Sequence, residues 1–177
     1  YQASNQYRAV IQQYLEDVTA ELGESSSLAV LDGDDVVYVV RSAARHRLMA
    51  ITLSVGTRLP AAYTSMGRVL LAQLPEHELK AYLDRVSLEP YTGLSITDQQ
   101  ALRKEIDKVR EQGYAMVDQE LDQGLRSVAV PAFAGSGELL GALNISTNAA
   151  RVDMDTLMNT YLPRLQAVAE KVRQTAR

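Results

Sequence analysis

The sequence predicts an α+β domain built on a central, largely antiparallel sheet of about six strands flanked by helices. Three observations predict it. Strand-length apolar runs fall in two groups of three along the 177 residues. Helical periodicity lies before, between and after those groups. Strict strand–helix alternation, which would give a doubly wound parallel sheet, is missing. The length suits one domain with a real core.

The first helix is read from Tyr7, Val10, Ile11, Tyr14, Leu15, Val18 and Leu22, which share one face at a 3.6-residue period. Gly23 stops it. Runs at 28–31 and 36–40 are strands, and Asp32-Gly33-Asp34-Asp35 between them is a hairpin signal. The run at 48–53 is the third apolar segment, and Ser54-Val55-Gly56-Thr57-Arg58-Leu59-Pro60 is a loop by its Gly and Pro content. A short helix is expected over 64–74, and Pro75 opens the next, with Leu79, Tyr82 and Leu83 inward. Thr97 with Gln100 forms a capping box for a helix through Leu102, Ile106 and Val109, ended by Gly113. Strands are expected over 114–117, 125–133 and 139–147. The last helix starts near Asp153, with Leu157, Tyr161, Leu165, Val168 and Val172 inward, and Pro163 should kink or split it.

Composition removes several classes of function. There is no Cys, so disulfides, thiolate catalysis and Cys-ligated metals are excluded. The net charge of −4 argues against this chain gripping nucleic acid alone. No apolar run approaches the roughly 20 residues of a membrane span, so no membrane contact is expected. A polar N-terminus without Met reads as a domain cut from a longer protein. Arg outnumbers Lys by 14 to 4. That skew fits an anionic ligand, and base-composition bias fits it equally.

Chemistry-bearing residues are few. His77 lies on the polar side of its helix, and His46 sits between Arg45 and Arg47, whose charges disfavour its protonation. No nucleophile elbow, Walker loop or zinc motif is present, so no enzyme and no cofactor are expected. Asp118, Glu120 and Asp122 alternate, which on an extended strand would align three carboxylates. A solvated acidic edge is favoured over a hard-cation site, and no metal is expected. The informative stretch runs from Gly56 to Ala72. There a loop meets a helix start bearing Thr64, Ser65 and Gly67. Free N–H groups with hydroxyls beside them form an anion site, and the same residues also serve as an ordinary N-cap.

These motifs resemble a known family. Val55-Gly56-Thr57-Arg58-Leu59-Pro60, Thr64-Ser65-Met66-Gly67-Arg68-Val69-Leu70-Leu71-Ala72, Gly113-Tyr114-Ala115, Asp118-Gln119-Glu120-Leu121, Gly124-Leu125-Arg126-Ser127-Val128-Ala129-Val130-Pro131 and Gly141-Ala142-Leu143-Asn144-Ile145-Ser146 occur in order. Together they are similar to the effector-binding domain of IclR-type transcription regulators, over essentially the whole chain. Arg41-Ser42-Ala43-Ala44-Arg45-His46-Arg47-Leu48-Met49 and Thr64-Ser65-Met66-Gly67-Arg68 most resemble the branch regulating protocatechuate, 4-hydroxybenzoate and β-ketoadipate catabolism.

The resemblance implies a GAF-like fold with a curved sheet and a pocket on one side. It implies a winged helix–turn–helix domain upstream of residues 1–177, homodimers or homotetramers on DNA, and a cytoplasmic location. It implies a small carboxylate effector, an aromatic acid or a β-ketoadipate-pathway intermediate. Leu48, Ile51 and Leu59 would form the apolar wall. Ser65, Met66 and Gly67 at the helix start would meet the carboxylate, and Asp118, Ser127, Asn144 and Ser146 would line the opposite side. The sequence departs from the family pattern at Val117, often acidic, at Ser127, often Cys, and at Asn144, often a small hydroxyl residue. Arg58 and Arg126 are candidate charge partners, with structural ion pairs the favoured role. An oligomerisation module without a ligand, or a GAF-like enzyme, are the alternatives.

Overall fold

The computed structural model describes residues 2–44 and 53–176. Leu48 and Ile51, and His46 with them, lie outside the described residues. The elements are α1 (Gln2–Leu22), β1 (Ser25–Asp32), β2 (Asp35–Ser42), β3 (Arg58–Pro60), a 3-10 turn (Ala61–Tyr63), α2 (Ser65–Ala72), α3 (Glu76–Arg85), α4 (Gln99–Gln112), β4 (Ala115–Asp118), β5 (Leu125–Phe133), β6 (Leu139–Asn148), α5 (Met154–Thr156), a π-helical turn (Leu157–Tyr161) and α6 (Leu162–Thr175). The six strands form one antiparallel sheet in the order β3-β2-β1-β6-β5-β4. This is the α+β architecture expected.

Two hydrophobic layers sandwich the sheet. On one face α2, α3 and α4 pack through Leu70, Leu71, Leu79, Tyr82, Leu102 and Ile106 onto Ala29, Val36, Tyr38, Ala129 and Ala142. On the other, α1 and α6 pack Ile11, Leu15, Val18, Leu165, Val168 and Val172 onto Leu28, Val40, Val128, Val130, Leu143 and Ile145. A bulge falls where Leu28 pairs Val40 and Ala29 pairs Tyr38. The extra residue, Val39, moves Val40 to the face opposite Val36 and Tyr38. Bulges bend a strand and strengthen its twist. A second one lies between Ala132 and Phe133.

Three local expectations change, and a fourth, the 48–53 run, lies almost wholly outside the described residues. The third strand is Arg58–Pro60, inside the segment read as a loop. It is a three-residue edge strand on β2, where Pro60 is tolerated because an edge leaves N–H groups unpaired. Of the 48–53 run only Leu53 is described, and it lies outside any strand. The cap of α4 is Asp98 rather than Thr97; its carboxylate accepts from the Ala101 N–H at 3.1 Å. Finally, Asp118, Glu120 and Asp122 do not share a face. β4 stops at Asp118, and Gln119 takes a left-handed φ of 59° that turns the chain. Among the described residues no group of three or more potential metal ligands exists. Pro163 acts as its position suggests: the helix resets before it through the π-helical turn, and α6 starts with Pro163 in its first turn.

Candidate functional site

The first turn of α2 meets the sheet near the ends of β5 and β6. Thr64 is the N-cap, and its hydroxyl accepts the Gly67 N–H at 2.9 Å. That leaves the Ser65 and Met66 N–H groups ahead of the intrahelical ladder, which begins with Arg68 N–H to Thr64 C=O. Gly67 is required sterically. A Cβ there would lie 2.0 Å from the Ala61 carbonyl oxygen and 2.5 Å from its carbon, so the 3-10 turn approaches α2 too closely for a side chain.

A pocket opens between this turn and the sheet. Its walls are Tyr38, Leu53, Leu59, Val117, Leu121 and Leu125, with Tyr63 beside them. Its polar side is Thr64, Ser65, Ser127, Asn144 and Ser146. About 350 Å³ of space, part of it open to solvent, lies between them. A broader groove of about 600 Å³ lies at Val30, Leu31, Leu70, Leu74, Leu139 and Gly141. Apart from Gln73 its lining is apolar, so it offers little to fix a polar ligand.

The polar side is a continuous band. Ser65 and Ser127 hydroxyls are 2.8 Å apart, and Asn144 Nδ2 donates to Ser146 Oγ at 3.1 Å. Ser127 pairs Ser146 in the β5–β6 register. Asn144, 3% exposed, keeps its buried Oδ1 without a hydrogen-bond partner among the described residues. A buried acceptor left unmade costs about 1–3 kcal/mol, so Oδ1 is poised for a donor. Burial raises the Tyr38 phenol to about 12, with Arg41 opposing. Burial likewise raises Tyr63. Both therefore enter the site as neutral O–H groups.

The expected site residues divide clearly. Leu59, Ser65, Ser127, Asn144 and Ser146 line the pocket. Met66 and Gly67 stand in the same helical turn, but the Met66 side chain packs in the core and Gly67 N–H is held by Thr64. Asp118 is placed on the other face. Strand alternation gives the pocket Val117 and turns Asp118 toward Arg126, whose Nε donates to it at 2.8 Å. Arg126 also donates to the Val152 carbonyl. Arg58 pairs with Asp32 and Asp35 at the surface. Both arginines are thus in structural ion pairs. Sequence reasoning did not single out Arg68. It is 1% exposed, donates both terminal nitrogens to Glu120 at 2.9 and 2.6 Å, and donates Nε to Ala62 C=O at 2.9 Å. It fixes the 119–124 turn that carries Leu121 into the wall.

Residues 1–174 match the family model for the bacterial transcriptional regulator IclR C-terminal domain. The chain belongs to the IclR family. It is 44% identical over 169 residues to the Pca regulon regulatory protein of Pseudomonas putida, covering 96% of this chain and 58% of that protein. It is 31% identical to the p-hydroxybenzoate hydroxylase transcriptional activator of Acinetobacter baylyi, covering 98% of this chain and 65% of that protein. This IclR-family domain therefore spans less than two thirds of those curated relatives. Its fold matches a double mutant of the PobR inducer-binding domain from Acinetobacter, solved with 3-hydroxybenzoic acid (TM-score 0.88, 31% identity, 94% of this chain and 97% of that one). It also matches Thermotoga maritima IclR (TM-score 0.86, 29% identity, 96% and 68%). These relatives are transcriptional regulators, and the chain is the effector-binding domain of such a regulator rather than an enzyme. Among the described residues no helix is long and apolar enough to cross a membrane.

Proposed function

We propose that the pocket at the α2 N-terminus senses a small hydroxylated carboxylic acid, an aromatic acid or a β-ketoadipate-pathway intermediate. The observation that carries this reading is the buried polar band ending in Asn144 Oδ1, which has no partner among the described residues. The carboxylate would meet the Ser65 and Met66 N–H groups and the positive end of α2. A ligand hydroxyl would donate to Asn144. The apolar walls would flank a ring or chain, as in most small-ligand sites. The names of the Pseudomonas and Acinetobacter relatives, and the 3-hydroxybenzoic acid in the PobR complex, support this class. Leu53 and Leu121, the latter in the irregular 119–124 turn, are wall residues outside helix and strand.

For the whole protein we propose a winged helix–turn–helix domain upstream of α1, with dimers or tetramers on DNA. The greater length of the relatives, one of them named an HTH-type regulator, supports this. The effector would act by population shift, binding one arrangement more tightly than another.

The test is a thermal-shift series with benzoate, 3- and 4-hydroxybenzoate, protocatechuate and β-ketoadipate on ligand-free protein. At 100 times the dissociation constant a ligand adds about 2.7 kcal/mol. For a domain of this size that raises Tm by about 5–10 °C. No shift with any of them overturns the effector assignment.

A further inference from the structure

Among the described residues, Glu24 is a buried carboxylate that takes no part in the pocket. It is 1% exposed and lies between Gly23, which ends α1, and Ser25, which begins β1. Three donors from separate segments converge on it. Thr147 Oγ1 and Tyr161 OH donate to Oε2 at 2.7 and 2.5 Å, and Arg151 Nη2 donates to Oε1 at 2.5 Å. An unpaired carboxylate would be very costly here, so these bonds hold the side chain in place.

The position of Thr147 gives this cluster a direction. Ser146 lines the pocket, and the next residue on β6 points to the opposite face, where it binds Glu24. One strand therefore presents a pocket hydroxyl and, beside it, a hydroxyl tied to the end of α1. Tyr161 closes the π-helical turn, and such turns are frequent at functional sites. The α1 end has other ties to β1, Ser26 Oγ to Leu15 C=O at 3.1 Å and Thr19 to Ser26 at 3.4 Å, but neither reaches β6.

We propose that Glu24 is a positioning residue that transmits the state of the pocket from β6 to α1 through Thr147. The proposal rests on the reading of the pocket as an effector site. Its competitor is the β1–β6 backbone ladder, in which Ser25 pairs Ser146 directly. A chain of contacts is not itself coupling, so the test must measure coupling.

Hydrogen exchange over residues 15–24 reads the α1 end, with 4-hydroxybenzoate as probe and calorimetry for affinity. Couplings of this kind are about 5- to 150-fold. Saturating ligand should therefore change exchange there by at least about 5-fold in the wild type. Thr147→Val cuts only the β6 link and leaves Glu24 its Arg151 and Tyr161 donors. It should reduce the response below about 2-fold while affinity stays within about 3-fold, and Thr147→Ser should restore the response. Tyr161→Phe, which spares the β6 link, should keep it. A full response in Thr147→Val, or wild-type binding without any α1 response, overturns the proposal in favour of the ladder or of no relay. If 4-hydroxybenzoate does not bind, another acid of the thermal-shift series that does bind replaces it as probe, and if none binds, the pocket reading is what fails. The relay is then judged by Asn144→Ala as the pocket perturbation: it should alter α1 exchange when Thr147 is present and not in Thr147→Val, and equal effects in both overturn it.

Discussion

Replacing Glu120 by Ala removes the partner of the most buried guanidinium described. Arg68 is 1% exposed on its side chain and Glu120 13%. Their two parallel bonds of 2.9 and 2.6 Å are lost, leaving Arg68 only its Nε bond to Ala62. Breaking a buried pair from one side costs about 3–5 kcal/mol, because the remaining charge stays buried. Water reaches the Glu120 side, so the expected loss is about 3 kcal/mol. At about 2–4 °C per kcal/mol for a domain of this size, Tm should fall by about 6–12 °C. Urea unfolding followed by circular dichroism should show a lower midpoint at unchanged slope. The reasoning also makes a claim about sign. Arg68→Met combined with Glu120→Leu leaves no orphaned charge, so the double variant should be more stable than Glu120→Ala alone. A loss below about 1 kcal/mol for the single variant, or a double variant less stable than the single, would refute it.

Gly67→Ala should destabilise by about 1–3 kcal/mol or more, because its Cβ meets backbone of the 3-10 turn rather than a movable side chain; an unchanged urea midpoint would contradict this. Asn144→Ala should leave the ligand-free fold nearly as stable but cost about 1–3 kcal/mol in binding 4-hydroxybenzoate and far less with benzoate, measured by calorimetry. Equal losses for both acids would show that Asn144 does not read the hydroxyl. Tyr38 has a folded pKa of about 12 against an ordinary 10.0. The native state therefore holds its proton longer than the unfolded chain. Its contribution of about 2–3 kcal/mol is complete below pH 10 and is lost as pH rises toward 12. Urea unfolding at pH 8 and at pH 11.5 should show a smaller loss for Tyr38→Phe than for the wild type, and parallel losses would reject the assignment.

What the sequence made legible was whatever depends on neighbours in the chain. The α1 face, the Asp32–Asp35 hairpin, the stop at Gly113 and the break before Pro163 all follow from local period or backbone preference. The Thr64 cap and the Ser65, Ser127, Asn144 and Ser146 lining were also within reach, because motif order places them. β3 was hidden because three residues on a sheet edge have no period of their own. Asp98 displaced Thr97 because one residue of helix phase decides which side chain reaches the free N–H. The family resemblance puts Asp118 in the pocket because motif alignment fixes a residue's order but not its face. Arg68 and Glu120 are 52 residues apart, and nothing local marks Arg68 as buried. Glu24 is similar, since its three donors lie more than 120 positions away.

The charges near the pocket constrain how it can recognise an acid. The described lining contains no Lys or Arg. Arg58, Arg68 and Arg126 are each bound to carboxylates. A ligand carboxylate would then be met by backbone N–H groups, the α2 dipole and hydroxyls. Such dipoles gain strength only where water is excluded, and the burial of Ser65, Ser127, Asn144 and Ser146 supplies that condition. Discrimination should follow hydrogen-bond pattern more than net charge, and affinity should depend weakly on salt, since buried interactions are little screened. Titration of 4-hydroxybenzoate at ionic strengths of about 0.01 and 1 M, where the Debye length falls from about 30 to 3 Å, separates the cases. A steep loss of affinity would mean that a cation holds the carboxylate, and the N–H site at α2 would then be the wrong assignment.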